Sequence, residues 1–396
     1  MKAGWQLKRL ADVAKVSAGN SAPQDESLFK DGVYPFFRTA DAGRVRFGEI
    51  HKSADYLNDK GIKGLRRYPS GTILFPKSGA STFLNHRVML GVEGFVSSHL
   101  ATIVADTTQI EPRFLLYFLS TVAAQDLIQD HAYPSLSLPT IEGISIQSPP
   151  LHEQKRIVDI LDEAFAVIAT AKVNAEKNLQ NARALFESYL NAVFTQCGPQ
   201  WINSTIGEVI KFIDYRGKTP VKTESGIRLI TAKNVKMGYI QETPQEFIAF
   251  ANYSSWMTRG IPKKGDVLFT TEAPLANVAQ LHTDEKVAFA QRIIIMQPAE
   301  KKLDCTFLKY LLLSGPVQQR IHIKGTGATV QGIKASLLKL IEISFPKTLT
   351  EQKQIVEKLD ALNEETQRLE SIYQCKLEAL EELKKSLLNQ AFSGEL

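Results

Sequence analysis

Apolar residues recur every three or four positions in two long polar stretches of the chain. In the first, Ile157, Leu161, Ala164, Ile168, Ala171 and Ala175 form a stripe that Ala182, Phe186 and Leu190 continue. This period predicts a single helix over residues 150–194, opened by Pro149-Pro150 and stopped by Gly198-Pro199. In the second, Ile355, Leu359, Leu362, Leu369, Ile372, Leu380, Leu383 and Leu387 predict a helix over 349–392. Each spans about 44 residues and is therefore roughly 65 Å long. Neither stripe is stable in water alone, and packing the two rods antiparallel as a coiled coil hides both. The alternative, a rod lying along its own domain, would overshoot a domain of about 150 residues.

Ahead of each rod the pattern shortens. Residues 1–148 alternate β-like runs with turn signals, among them Gly71-Thr72-Ile73-Leu74-Phe75, Gly94-Phe95-Val96, Ala101-Thr102-Ile103-Val104 and Ile144-Ser145-Ile146. One helix is expected inside, around Arg113 to Gln129. Residues 199–346 follow the same plan, with Val267-Leu268-Phe269, Arg292-Ile293-Ile294-Ile295-Met296 and a helix near Thr306 to Ile323.

The two halves are copies. Pro149-Pro150-Leu151-His152-Glu153-Gln154-Lys155-Arg156-Ile157-Val158 returns as Pro346-Lys347-Thr348-Leu349-Thr350-Glu351-Gln352-Lys353-Gln354-Ile355-Val356. Trp5 answers to Trp201, and Leu10-Ala11-Asp12-Val13 to Ile206-Gly207-Glu208-Val209. Phe36 to Asp41 matches Leu229 to Asn234, Gly71 to Phe75 matches Gly265 to Phe269, and Phe114 to Leu119 matches Phe307 to Leu312. The shared positions are mostly apolar, as a common core requires, and the polar segments between them differ. One residue fewer precedes Glu153 than Glu351, which leaves the helix register at the first junction open. The boundaries read as 1–148, first globular domain; 149–198, central helix; 199–346, second globular domain; and 347–396, C-terminal helix.

Composition narrows the class. Hydrophobic content of 44% and charged content of 22% are ordinary for a globular protein. No apolar run nears the roughly 20 residues a bilayer span needs, and the N-terminus shows no secretory h-region. Cys197, Cys305 and Cys375 are scattered and odd in number, which fits neither a disulfide framework nor a zinc site. A reducing cytoplasm is expected, with no membrane partner. The net charge of +5 is mild, but Arg44, Arg46, Lys60, Lys63, Arg66, Arg67, Lys77 and Arg87 concentrate positive charge in one stretch of the first domain. Such a face neutralises phosphates; scattered charge for solubility is the competing reading. A doubled unit suits a two-part target, of which duplex DNA with split half-sites is the obvious one.

A Trp-initiated globular domain leading into a Pro-x-x-x-Glu-Gln-Lys-x-Ile-Val helix, with the whole then repeated, resembles the specificity subunit of type I restriction-modification systems. The resemblance spans the chain. It implies an α+β fold: two similar mixed α/β target-recognition domains separated by two long antiparallel helices in a pseudo-two-fold repeat. It also implies a non-catalytic subunit that binds double-stranded DNA, each domain reading one half of a bipartite asymmetric site. The expected partners are two methyltransferase subunits and a restriction/translocase subunit. S-adenosylmethionine, ATP and Mg would be held by those partners and no cofactor by this chain. A non-catalytic coiled-coil adaptor whose two domains bind proteins rather than DNA stays open as an alternative, and steep salt dependence would discriminate against it. A fused restriction-methylation enzyme fails on length and on missing motifs.

Particular residues sharpen this picture. The loop after the shared strand is Pro76-Lys77-Ser78-Gly79 in one copy and Thr270-Thr271-Glu272-Ala273 in the other. Lys77 and Ser78 are candidates for phosphate or guanine, and Glu272 can accept from cytosine N4. Arg38, Asn85, Arg87, Lys233, Asn234 and Thr271 are further DNA-binding candidates, each equally able to be a solvated surface residue. Gly325-Thr326-Gly327-Ala328-Thr329-Val330-Gln331 lacks the Gly-Lys-Ser/Thr of a phosphate loop. A backbone close to DNA is expected there, with a plain connecting loop as the competing reading; Thr326, Thr329 and Gln331 are candidates, and Tyr133 and Ser135 their counterparts in a loop that places Pro134 opposite Gln331. Ser148-Pro149-Pro150-Leu151 lacks the aromatic that an amino-methyltransferase stacks on its base, so a helix start is preferred. The seven histidines show no metal-ligand spacing. On the rods, Glu153, Gln154, Lys155, Ile157 and Leu161, with Glu351, Gln352, Lys353, Ile355 and Leu359, are candidates for docking a methyltransferase subunit. Capping of the helix N-terminus competes for the two glutamates.

Overall fold

A turn that glycine alone takes without strain precedes the central strand of each repeat. Gly71 has φ +86° and Gly265 φ +93°. The strands that follow, Ile73–Pro76 and Val267–Thr271, are buried along their whole length, so they read as continuous apolar runs rather than alternating ones. The computed structural model describes residues 4–128, 134–215, 219–290, 292–327 and 330–396. The chain divides into two units, Met1–Asn174 with Lys376–Leu396, and Ala175–Cys375.

In the first unit a five-stranded sheet runs Ala14–Ala18, Leu100–Ala105, Ile73–Pro76, Arg87–Leu90, Phe47–Ile50. Its pairs are antiparallel except the last, which is parallel. A three-stranded sheet runs Asp55–Leu57, Tyr34–Phe37, Phe95–Val96, and Gln6–Arg9 pairs with Ser145–Ser148. The second unit repeats the design. Its four-stranded sheet runs Ile210–Asp214, Ile293–Pro298, Val267–Thr271, Leu275–Gln280. Phe247–Ile248, Ile227–Ile230 and Val287–Phe289 form the second sheet, and Trp201–Thr205 pairs with Glu342–Pro346. The fold is α+β, with one mixed architecture used twice. Among the described residues, the strand Phe47–Ile50 has no counterpart in the second unit.

The inner helices are shorter than their periodicity suggests. Pro112–Thr121 ends where Val122 turns extended. Cys305–Leu313 stops at Ser314, which is also extended, and Gly315–Lys324 begins afresh. Pro316, near the start of that second piece, brings no N–H to continue the preceding ladder, so the single helix expected over Thr306 to Ile323 is two.

The long helices are Leu151–Gln196 and Leu349–Ser393. Their opening turns belong to the domains that precede them: Ile157, Leu161 and Leu359 are fully buried in those domain cores. A buried glutamine fixes each junction. The Glu111 N–H donates to Gln154 Oε1 at 2.8 Å, while Gln154 Nε2 donates to the carbonyls of Gln109 and Pro149 at 3.1 and 2.8 Å. The Asp304 N–H donates to Gln352 Oε1 at 2.8 Å, and Gln352 Nε2 to the carbonyls of Lys302 and Pro346 at 2.9 and 2.8 Å. The same carbonyls and amides are used in both copies, so the one-residue difference before Glu153 is absorbed ahead of the helix and the registers agree. Two turns on, the Tyr117 hydroxyl donates to Asp162 at 2.6 Å and the Tyr310 hydroxyl donates to Asp360.

Within each unit the long helices run antiparallel. In the first, Lys172 pairs with Glu381 at 2.6 Å and Arg156 reaches the Leu396 carbonyl at 2.7 Å. Phe392 packs edge-on to Phe114 and Phe118, with ring centroids 5.2 and 5.5 Å apart, so the C-terminus returns to the first domain. In the second, Arg183 pairs with Glu370 at 2.9 Å, and Leu190 and Phe194 share a core with Val356 and Leu359.

Candidate nucleic-acid interface

Loop segments far apart in sequence meet beyond the central strand of the first unit. The Lys77 N–H donates to the His99 carbonyl at 3.0 Å, and the Leu136 N–H to the Lys77 carbonyl at 2.8 Å. Ser78 bridges to Ser135, and its hydroxyl lies 2.8 Å from His99 Nδ1. The row continues sideways, where Ser97 N–H donates to the Phe37 carbonyl at 2.9 Å and Ser98 N–H to the Asn20 carbonyl at 2.7 Å. The Asn20 amide in turn clasps the Arg66 backbone on both sides. The result is a rim carrying Lys77, Ser78, Ser135, His99, Asn20 and Arg66, with Arg38 next to Phe37. Lys77 is half-buried, Arg66 is exposed, and among the described residues neither cation has an ionic partner.

The second unit builds the same rim with other side chains. The Thr271 N–H donates to the Arg292 carbonyl at 2.9 Å, and the Ile333 N–H to the Thr271 carbonyl at 2.9 Å. Glu272 bridges to Gly332, which exchanges two 2.8 Å backbone bonds with Thr326. Ala290 N–H donates to the Ile230 carbonyl at 3.3 Å. Ser135 therefore stands opposite Gly332, and Pro134 opposite Gln331, as the sequence alignment places them. Glu272 pairs with Arg292 at 3.0 Å. Gln331 and Thr326 are exposed, Gln331 being held by His322, and Lys233 is exposed beside the rim. Tyr133 and Thr329 lie outside the described residues.

Several candidates have other work. Arg87 is fully buried, not a groove contact: it donates to the carbonyls of Leu119, His86 and Val122 at 3.2, 2.9 and 3.2 Å and stacks on Phe75 at 3.5 Å. Burial pulls it down to about 9, so it still carries its charge at neutral pH. Asn234 is buried, and its side chain closes a turn by accepting from the Thr231 N–H at 3.0 Å. Asp41 does the same for the Arg38 N–H at 2.8 Å. Asn85 takes left-handed backbone and spends its amide on Gln125 and the Ala124 N–H. The Thr271 side chain is buried. Arg38 is half-exposed, paired with Asp55 and set over the rings of Phe29 and Phe36.

On the rods, burial removes Gln154, Gln352, Ile157, Leu161 and Leu359 from any docking face, and Ile355 packs against the second core. Lys155 and Lys353 are exposed, and Glu153 and Glu351 half-buried, with Glu153 paired to Arg156 at 2.7 Å. Sequence reasoning missed His99, Arg292 and Asn20, and named Arg66 only among the cations of a positive face. The available signal was position: His99 and Arg292 immediately precede the buried strands Leu100–Ala105 and Ile293–Pro298.

Chemically, the rims offer hydrogen-bond donors, acceptors and cations on irregular backbone, which is how polar loops read a groove. Among the described residues no group of three or more His, Cys, Asp or Glu side chains is placed to hold a metal ion, and no helix is long and apolar enough to cross a membrane.

Residues 2–180 and 200–375 match the family described as type I restriction modification DNA specificity domain. The type I restriction enzyme MjaVIII specificity subunit of Methanocaldococcus jannaschii is 23% identical over 420 residues, covering 99% of this chain and 93% of that protein. The type I restriction enzyme EcoBI specificity subunit of Escherichia coli is 21% identical, covering 99% and 86%. A chain from a structure concerned with complex assembly and conformational transition of the type I R-M system superposes with TM-score 0.80 at 19% identity, covering 100% and 99%. The HsdS subunit from Thermoanaerobacter tengcongensis superposes with TM-score 0.64 at 19% identity, covering 100% and 98%. These superpositions speak to the fold.

Proposed function

The chain belongs to the type I restriction modification DNA specificity family, and from that membership we propose that its two rims read two different short sequences of one asymmetric DNA site. Residues 1–148 serve as one target-recognition domain and 199–346 as the other. Helices 149–198 and 347–396 set the gap and dock two methyltransferase subunits, with Glu153, Lys155, Glu351 and Lys353 as contacts. A restriction/translocase subunit completes the assembly. The chemistry resides on those partners, which bring S-adenosylmethionine, ATP and Mg, and this chain contributes the choice of sequence.

One observation carries the reading: both rims are built on the same backbone bonds, yet Lys77-Ser78 faces His99 in one where Thr271-Glu272 faces Arg292 in the other. A scaffold kept constant while its exposed polar groups change suits two readers of different base sequences. Lys77, Arg66 and Lys233 supply phosphate contacts, which fix position without carrying sequence information. Ser78, Ser135, His99, Glu272, Arg292 and Gln331 supply base-edge contacts in the major groove. Footprinting of the assembled complex tests this. Two protected segments flanking an unread gap are expected, and a single uninterrupted segment read by one unit would defeat the proposal.

A further inference from the structure

At one rim position the units share a backbone bond and differ in the side chains beside it. Lys77 N–H meets the His99 carbonyl where Thr271 N–H meets the Arg292 carbonyl. In the next positions, Ser78 meets His99 Nδ1 at 2.8 Å and Glu272 meets Arg292 Nε at 3.0 Å. We propose that the Glu272–Arg292 pair makes the second unit select one G·C base pair, Arg292 donating to guanine O6 and N7 and Glu272 accepting from cytosine N4. The inference rests on the DNA-reading function above and deepens it by naming the base pair.

Three features support the assignment. Glu272 engages Arg292 through Nε, and among the described residues the two terminal nitrogens have no other partner. That fork matches the paired acceptors O6 and N7 on guanine's major-groove edge. Glu272 uses one carboxylate oxygen on the arginine and keeps the other for an amine donor. Both side chains are about half exposed, 46% and 47%, so their attraction contributes little to stability. Arg292 nevertheless sits at φ +76°, in the left-handed region that a long side chain enters only under constraint. Ala273, next to Glu272, and Ala276, near the start of the strand Leu275–Gln280, have φ +48° and +67°. Unusual backbone gathered around a weak surface pair points to a functional geometry rather than to a stabilising one. The first unit holds His99 Nδ1 on Ser78, leaving a single ring nitrogen outward, so it makes a different demand on its base.

The test uses the complete chain assembled with its methyltransferase partner, a randomised DNA library, and sequencing of the methylated products. The unaltered complex should prefer G·C at one position of one half-site. Arg292→Ala and Arg292→Lys should each lower that discrimination by roughly 5- to 150-fold, the range for one bidentate base contact, with every other position kept. Glu272→Gln should relax the same position. A uniform loss across all sequences that lysine rescues would make Arg292 a phosphate contact and overturn the assignment, as would an unchanged preference. An unaltered complex without sequence preference would overturn the DNA-reading function itself, and the pair with it.

Discussion

Replacing Gln352 by alanine strips three hydrogen bonds from one buried side chain. The Asp304 N–H and the carbonyls of Lys302 and Pro346, bonded at 2.8, 2.9 and 2.8 Å, all lose their partner. Each bond contributes about 1 kcal/mol net, and an orphaned buried group costs about 1–3 kcal/mol unless water reaches it. With partial hydration the loss comes to about 3–5 kcal/mol for the second unit. Gln154→Ala should do the same to the first, since that amide also donates to the Ser148 hydroxyl at 3.2 Å. A chain of two units has no single unfolding free energy, so hydrogen exchange resolved by peptide is the suitable assay. Gln352→Ala should raise exchange in Cys305–Leu313 and in the first turns of Leu349–Ser393, and leave Pro112–Thr121 unchanged. Lys353→Ala, one residue away and exposed, should stay within about 0.5 kcal/mol. Equal small effects from Gln352→Ala and Lys353→Ala would refute the reasoning.

Other expectations follow from the same geometry. Arg87→Leu leaves the carbonyls of His86 and Val122 without their donor and Leu119 with the Val122 N–H alone, and should cost the first unit about 2–3 kcal/mol or more, read as faster exchange in Pro112–Thr121; a silent variant would contradict this. Lys77→Ala should weaken DNA binding nearly uniformly across sequences and reduce the slope of log affinity against log salt by about 1, whereas an altered base preference would make Lys77 a reader. Burial, then the charges of Arg46 and Arg87, hold His86 below its ordinary value of 6.5. The folded state thus binds that proton less readily than the unfolded one, and stability present above pH 6.5 is lost as pH falls below it. His86→Gln should flatten that loss in thermal melts of the first unit, and an unchanged acid response would assign it elsewhere.

The rods were legible because a period of three to four sustained from Ile157 to Leu190 has one economical structure. The repeat was legible because a shared core keeps its apolar positions, Phe75 against Phe269 and Phe114 against Phe307. The break at Ser314 was signalled by Gly315-Pro316 and overridden by the apolar run Phe307 to Leu313. Harder to see was which polar residues face inward. Arg87 looks like a surface cation in sequence, and only the packing of Phe75 and the helix-end carbonyls makes burial tolerable. Gln154 and Gln352, flanked by charged residues on polar helices, look solvent-facing until the Glu111 and Asp304 amides arrive from more than forty residues away. The rim itself joins segments near 20, 66, 77, 99 and 135, and no local pattern announces that meeting. His99 and Arg292 were overlooked for this reason, whereas Ser78 and Glu272 were found because they follow a repeated strand.

The central claim is that each unit reads its own half of the target from an equivalent rim. Methylation mapping of a complex whose residues 201–345 are replaced by a second copy of residues 5–148 tests it most directly. The account predicts that the half-site of the second unit disappears and both halves then show the base preference of the first. A folded, methylating chimera that still recognises the original two-part sequence would contradict it.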